Sequence, residues 1–310
     1  MKKLAFIPVA MMAAAGAYAE PKLYGKANVS LQNADENDSS VVELKSNASR
    51  LGVKGDHAIE DTNLKGVYQM EFEVAVDDGQ NSNGETFSQR NIFVGLQGGF
   101  GLAKAGKFDT PLKVAQKKID LFNDLEGDIK HMITRNDNRP SNIVQYSSPK
   151  LGDVVGLNAA VIASEEEDVD NGFSGSVTAE FSGVYLAAAY DTGVESEETD
   201  VARLVAQWNF AAFQLGALYE MMEVDGGDSN NSWMLSAQYK INNWALKAQG
   251  GAADVVKDYD DTTTYSLGVD YKFSKKLKTF AYYTSNDFTG ADDGIEGDAS
   301  YFGLGTELKF

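Results

Sequence analysis

The chain contains no cysteine, only 5 prolines and only 2 histidines in 310 residues. Without cysteine there is no disulfide framework, no zinc–thiolate site and no thiol nucleophile. With so few prolines there is no Pro/Ser linker, and no break in composition marks a boundary, so residues 20–310 read as a single domain. His57 and His131 lie in no recognisable motif. A Ser-His-Asp site is not excluded by count, but solvated loop histidines are the simpler reading, and the chain is not expected to be an enzyme. Basic residues are scarce too, 27 against 46 acids, for a net charge of −19. Nucleic acid is therefore not an expected partner, because phosphate neutralisation needs clustered Lys and Arg. No run of about 18 apolar residues occurs outside the N-terminus, so no helix is expected to cross a bilayer.

What is present begins with an export signal. Lys2 and Lys3 precede an apolar stretch, Leu4 to Ala17, and Ala17-Tyr18-Ala19 supplies a small-x-small cleavage site before Glu20. Residues 1–19 are expected to be removed, which takes the formal charge to −21.

The rest alternates with a period of two. Leu23, Gly25, Ala27, Val29 and Leu31 share one face, against Tyr24, Lys26, Asn28 and Ser30. Tyr68, Met70, Phe72 and Val74 oppose Gln69, Glu71 and Glu73. Sixteen strands follow, over 22–32, 41–55, 63–76, 86–97, 101–108, 140–147, 154–163, 173–181, 184–191, 200–209, 213–223, 232–240, 243–252, 262–272, 276–287 and 300–310. Long acidic links, such as the one holding Glu165-Glu166-Glu167-Asp168, take turns with short ones such as Ser182-Gly183. Both chain ends then fall on the short-turn side. The polar faces are charged on strand after strand, and aromatics such as Trp208, Phe213, Trp244 and Phe273 recur near strand ends. A soluble sandwich would turn its apolar face inward. Charged interiors, aromatic belts and two unlike ends instead suit a closed antiparallel transmembrane β-barrel of the bacterial outer membrane. Lipid cannot satisfy an open sheet edge, and sixteen strands enclose water.

The link over 109–139 is far longer than the others and is expected to be functional. Leu112, Val114, Ile119, Leu121, Phe122, Leu125, Ile129 and Met132 give it apolar anchors, so it is expected to fold inward and narrow the lumen. Its acids are Asp120, Asp124, Glu126 and Asp128. If helical, the four-residue spacing would set Asp120, Asp124 and Asp128 on one side.

Leu23-Tyr24-Gly25-Lys26-Ala27, Ser49-Arg50-Leu51-Gly52-Val53-Lys54-Gly55, Arg90-Asn91-Ile92-Phe93-Val94-Gly95-Leu96 before Gly99-Phe100-Gly101, the acidic run Asp120 to Asp128, and the final Phe310 together resemble the trimeric general porins of Gram-negative bacteria. The resemblance spans the mature chain. It implies a homotrimer in the outer membrane, among lipopolysaccharide, with Phe310 read by the barrel-assembly machinery. It also implies a pore constriction with a basic side, Lys26, Arg50 and Arg90, facing acids of the folded-in loop, Asp120, Asp124, Glu126 and Asp128. Alternation places Lys26 on a polar face and Arg50 with Lys54 and Ser46. Many relatives carry a further arginine near Gln145-Tyr146-Ser147; here Arg139, just upstream, is the candidate substitute. A snorkelling Lys26 and ordinary salt bridges for the arginines are the plainer alternatives.

The expected function is passive diffusion of ions and small hydrophilic solutes, with cations preferred and no cofactor. Ca²⁺ or Mg²⁺ at the acidic outer loops is an additional candidate. A substrate-selective porin, with Tyr24 or Tyr68 lining a sugar path, is the first alternative. An exported soluble β-protein that binds ligands is the second. Strands four to six break alternation at Ile92-Phe93-Val94 and Gly98-Gly99, as a subunit interface would.

Overall fold

The computed structural model describes residues 20–37, 39–80, 84–224, 226–227, 229–256, 259–290 and 296–310. The expected export signal, residues 1–19, lies outside them. The ladder is antiparallel throughout and closes on itself. Its elements are β1 Lys22–Glu36, β2 Ser39–Ser46, β3 Arg50–Ala58, β4 Lys65–Val74, β5 Phe87–Gly98, β6 Gly101–Lys107, β7 Ile143–Ser147, β8 Val155–Ile162 and β9 Gly172–Phe181. These are followed by β10 Val184–Thr192, β11 Thr199–Phe210, β12 Phe213–Val224, β13 Asn230–Ile241, β14 Trp244–Val256, β15 Tyr259–Lys272, β16 Leu277–Gly290 and β17 Glu296–Lys309. Because β2 and β3 both pair with β1, they are two halves of one stave, and the barrel has sixteen staves. Pairing of β1 with β17, from Lys26↔Lys309 to Glu36↔Ala299, seals the ring.

The wall is apolar outside and polar inside. Val94 is 66% exposed and Leu267 58%, while Arg203 and Glu220 are 1% and 2% exposed. Burial of apolar surface therefore depends on hydrocarbon around the barrel, and charges are held within it. At the short-turn end the aromatics pair up, Phe213 with Tyr239 at 4.7 Å and Trp244 with Tyr271 at 4.6 Å between ring centroids.

Three strand features differ from the sequence reading. First, the ladders run further than expected on the acidic side: β1 reaches Glu36 and β2 resumes at Ser39, and β16 reaches Gly290. Backbone pairing continues there beyond the last apolar residues, so those links are shorter. Second, the second stave is interrupted. Val29 pairs with Ser46 and Lys26 with Arg50, which leaves one surplus residue on the second stave. Ala48, at φ 47°, absorbs it, while Asn28 donates to the Asn47 carbonyl and to Ser49 Oγ. A bulge of this kind inverts the alternation, so Ser46 and Arg50 lie on opposite faces and not together. Third, Met70 pairs with Ile92 but Phe72 with Gln89, another surplus residue, at Arg90-Asn91. This bulge, together with Phe93 packed edge-on at 5.8 Å to Phe108, accounts for the broken alternation in that stretch.

The apolar core lies beneath the long link. Two short helices punctuate it, α1 Pro111–Ala115 and α2 Ile129–Met132. Leu112, Ala115, Ile119, Ile129 and Ile133 pack on Tyr185, Val201, Val205, Leu218 and Met234 of the wall. Phe122 and Leu125 pack on Phe280 and Tyr282. Val114 is not an anchor: it is 57% exposed.

Candidate functional site

The two bulges aim arginines. Without the surplus residue at Ala48, Arg50 would project into hydrocarbon, at a cost of about 2–4 kcal/mol near mid-bilayer. With it, Arg50 Nη2 reaches Asp124 Oδ2 at 2.6 Å. Lys26 Nζ meets the same carboxylate oxygen at 2.5 Å. At the second bulge Arg90 donates from Nε to Glu71 at 3.0 Å and from Nη1 to Glu73. Its neighbour Asn91 bonds Asp109 and accepts from Arg139 Nε at 3.1 Å. Arg139 Nη2 lies 2.8 Å from Asp109.

The four loop acids separate into different tasks. Asp120 to Asp128 is a series of turns, with Asp124 at φ 71°, and not a helix, so the acids share no face. Asp120 faces the loop's own backbone: it accepts from the N–H groups of Phe122 and Ile129 and from Gln249 Nε2. Burial, and then Asp128, raise its carboxyl well above the ordinary range. Asp128 caps α2 through the Lys130 N–H and also accepts from the Asp124 N–H at 2.9 Å. Asp124 alone bridges to Lys26 and Arg50. Burial would raise it, but Arg50 and Lys26 outweigh burial and hold it below the usual carboxylate range. Glu126 accepts from Lys45 and from Gln32 at 2.9 Å. Burial opposes its ionisation, and Lys45 and Gln32 override burial to lower it.

Three groups emerge that the sequence reading did not assign. Glu71 and Glu73, seen only as the polar face of a strand, neutralise Arg90; Glu71 also accepts from Tyr24 at 2.9 Å. Lys45 and Gln32 hold the loop tip. Wall glycines make room for the loop: a Cβ on Gly216 would lie 2.9 Å from Ile119, on Gly251 2.7 Å from Ile133, and on Gly268 2.8 Å from Phe122. The signal was inward-face glycine in strand interiors, a mark of close approach. The loop is further stitched by Tyr185 to the Ala115 carbonyl, Gln214 to Lys118, Gln249 to Gly127 and Thr262 to Met132. Buried Arg203 bonds Glu220, Gln116 and Thr134 at the loop's base.

His57 sits on β3 and not in a loop, whereas His131 lies on α2 within the long link. No cluster of three or more His, Asp or Glu is placed to hold a metal ion among the described residues.

A closed wall with an oily exterior, an ionised interior and a loop folded inside defines an outer-membrane channel. The family model for Gram-negative porins matches residues 7–291. The chain is 25% identical over 315 residues to major outer membrane protein P.IB of Neisseria meningitidis serogroup B, covering 88% of each. It is 25% identical over 341 residues to a monosaccharide porin of a Halomonas species, covering 90% of each. The fold matches an anion-selective porin from Comamonas acidovorans at TM-score 0.77 and 20% identity, over 94% of this chain and all of that one. The chain belongs to the Gram-negative porins. It is a passive-diffusion channel of the outer membrane and not an enzyme.

Proposed function

We propose that the 108–142 link constricts the lumen and that the pore prefers cations. One observation carries this reading: Lys26, Lys45, Arg50 and Arg90, the basic groups tied in around the loop tip, each have a carboxylate within 4 Å, and only Lys118 lines the cavity there without an ion pair among the described residues. Lys26 and Arg50 share Asp124, Arg90 lies between Glu71 and Glu73, and Lys45 meets Glu126. These four cations are balanced by four carboxylates, Asp124, Glu71, Glu73 and Glu126, while the links at the opposite end from the short turns are rich in Asp and Glu. Such a mouth concentrates cations. The effect weakens with salt, since exposed charges are screened over about 8–10 Å near physiological ionic strength.

Tyr24 and Tyr68 lie against Gly52 and Gly55, where an added Cβ would sit 2.7 Å and 2.8 Å from the respective rings. That packing role favours a general pore over a sugar path. A homotrimer, removal of residues 1–19 and recognition of Phe310 during assembly complete the proposal. Phe310 already exchanges two backbone hydrogen bonds with Gly25, both 3.1 Å.

The test is the zero-current potential of the purified channel in a planar bilayer across a KCl gradient. A sign showing excess K⁺ flux is expected, shrinking as total salt rises. A Cl⁻-selective potential would overturn the reading.

A further inference from the structure

One sector of the short-turn mouth differs in charge from the rest of the molecule. The link between β15 and β16, with the ends of both strands, reads Lys272-Phe273-Ser274-Lys275-Lys276-Leu277-Lys278. It brings four lysines to one cavity of about 500 Å³, and Lys309 from the end of β17 joins them. Two carboxylates, Asp270 and Glu307, line the same cavity. They are already taken: Lys278 and Lys247 pair with Asp270, and Lys309 with Glu307 at 2.9 Å. Lys272, Lys275 and Lys276 make no side-chain ion pair among the described residues. The turn is shaped by Ser274 Oγ, which accepts from the backbone N–H groups of Lys276 and Leu277, both at 3.1 Å.

This cavity reaches the inward face of the wall. Asp270, Lys278 and Glu307 share the inward face: Asp270 pairs with the inward-packed Phe280, and Lys278 with Glu307. A second cavity, of about 470 Å³, shares Glu307 and Lys309 and continues to Lys26, Arg50 and Asp124 at the loop tip. At the other end, the links over 163–171 and 193–198 contain Glu165, Glu166, Glu167, Glu195, Glu197 and Glu198 and no lysine or arginine. The outer links are therefore acidic, whereas this sector of the short-turn mouth is lysine-rich.

We propose that the short-turn mouth is an anion-binding vestibule, in which Lys272, Lys275 and Lys276 hold small multivalent oxyanions such as phosphates. Ammonium groups on flexible stems act as point charges toward phosphate and need no fixed fork. Three of them around one cavity favour a multivalent anion over chloride. The arrangement is independent of the loop acids, so it stands whichever ion the constriction prefers. It predicts sided behaviour: an oxyanion supplied at this mouth is captured and impedes current, whereas at the acidic mouth it is repelled.

The experiment is single-channel recording in a phosphatidylcholine bilayer with inorganic pyrophosphate added to one chamber at a time. Orientation is fixed by Glu166→Cys, the only cysteine in the chain, tagged from one side with a bulky impermeant thiol reagent. Block from the short-turn side at a concentration at least tenfold lower than from the other side is expected. The triple variant Lys272→Gln/Lys275→Gln/Lys276→Gln should abolish this difference. Its unblocked conductance in about 1 M KCl, where the Debye length is about 3 Å, should match the parent and so report an intact barrel. Equal block from both sides, or sided block that survives the triple substitution, overturns the proposal. A further arm adds anionic phospholipid to the bilayer. If sided block is then lost, the lysines hold lipid headgroups and the solute site is refuted; if it persists, the phosphate acts as a free solute.

Discussion

Arg50 Nη2 lies 2.6 Å from Asp124 Oδ2, joining a wall strand to a loop 74 residues later in the chain. The same oxygen takes Lys26. Asp124→Asn should leave Lys26 and Arg50 only their longer pairs, Glu307 at 4.0 Å and Glu71 at 3.9 Å, and shift the zero-current potential toward chloride. It should also loosen the loop tip by about 1–3 kcal/mol, the range for stranding a buried partner. Asp120→Asn should behave differently. It removes an acceptor from the loop's own backbone, so it should lower the unfolding temperature and leave ion preference nearly unchanged. A selectivity shift equal to that of Asp124→Asn would disprove the division of labour.

Glu71→Gln with Glu73→Gln releases Arg90 from both its carboxylates. The expected result is a change toward anion preference at least as large as that from Asp124→Asn, measured by the same potential. An unchanged potential would mean that Arg90 is not felt by permeating ions.

Acid should act on the tip in a definite order. Asp124 and Glu126 have depressed folded-state pKa values, so their tethers are present above the ordinary carboxylate range and are lost only as pH falls through the depressed values. Asp120 is raised, so its contribution is complete below the ordinary aspartate value and declines as pH rises through the elevated one. Ion preference should therefore be flat from neutral down to about pH 4, near the free-carboxylate values, and change below that. Labelling of an Asn123→Cys thiol across this range would register release of the tip. Release well above pH 5 would contradict the assignment.

Gly268→Val should push the loop from the wall, because even a first side-chain carbon would lie 2.8 Å from the Phe122 ring, closer than carbon atoms ordinarily allow. Overpacking of this kind costs about 1–3 kcal/mol. Conductance should change, with a value near wild type restored when Gly268→Val is combined with Phe122→Ala, which removes the ring atoms in the way. Failure of that rescue would show that the wall glycine does not act through the loop.

Much of the barrel was legible in the sequence because period-two patterning is a local property. Leu267, Val269 and Tyr271 alternate with Ser266, Gly268 and Asp270, and need no partner to be recognised. Bulges were not legible. Nothing in Ala48 announces a surplus residue; its cost is met by Asn28, about twenty positions earlier and on another strand. The loop acids were found as residues but not as roles. Their spacing suggested one face, whereas backbone N–H groups that had to be satisfied took Asp120 and Asp128 away from the lumen. Glu71 and Glu73 were visible yet unassigned, since pairing with Arg90 arises only when β4 and β5 meet.

The glycine hollows beneath Ile119, Ile133 and Phe122 make the inside of the wall a mould for the segment lying on it. On the proposed constriction, pore calibre is written in two places far apart in the chain. An engineer could retune permeability from the staves alone, and a loop borrowed from another channel would find no seat unless the matching hollows were carved along with it.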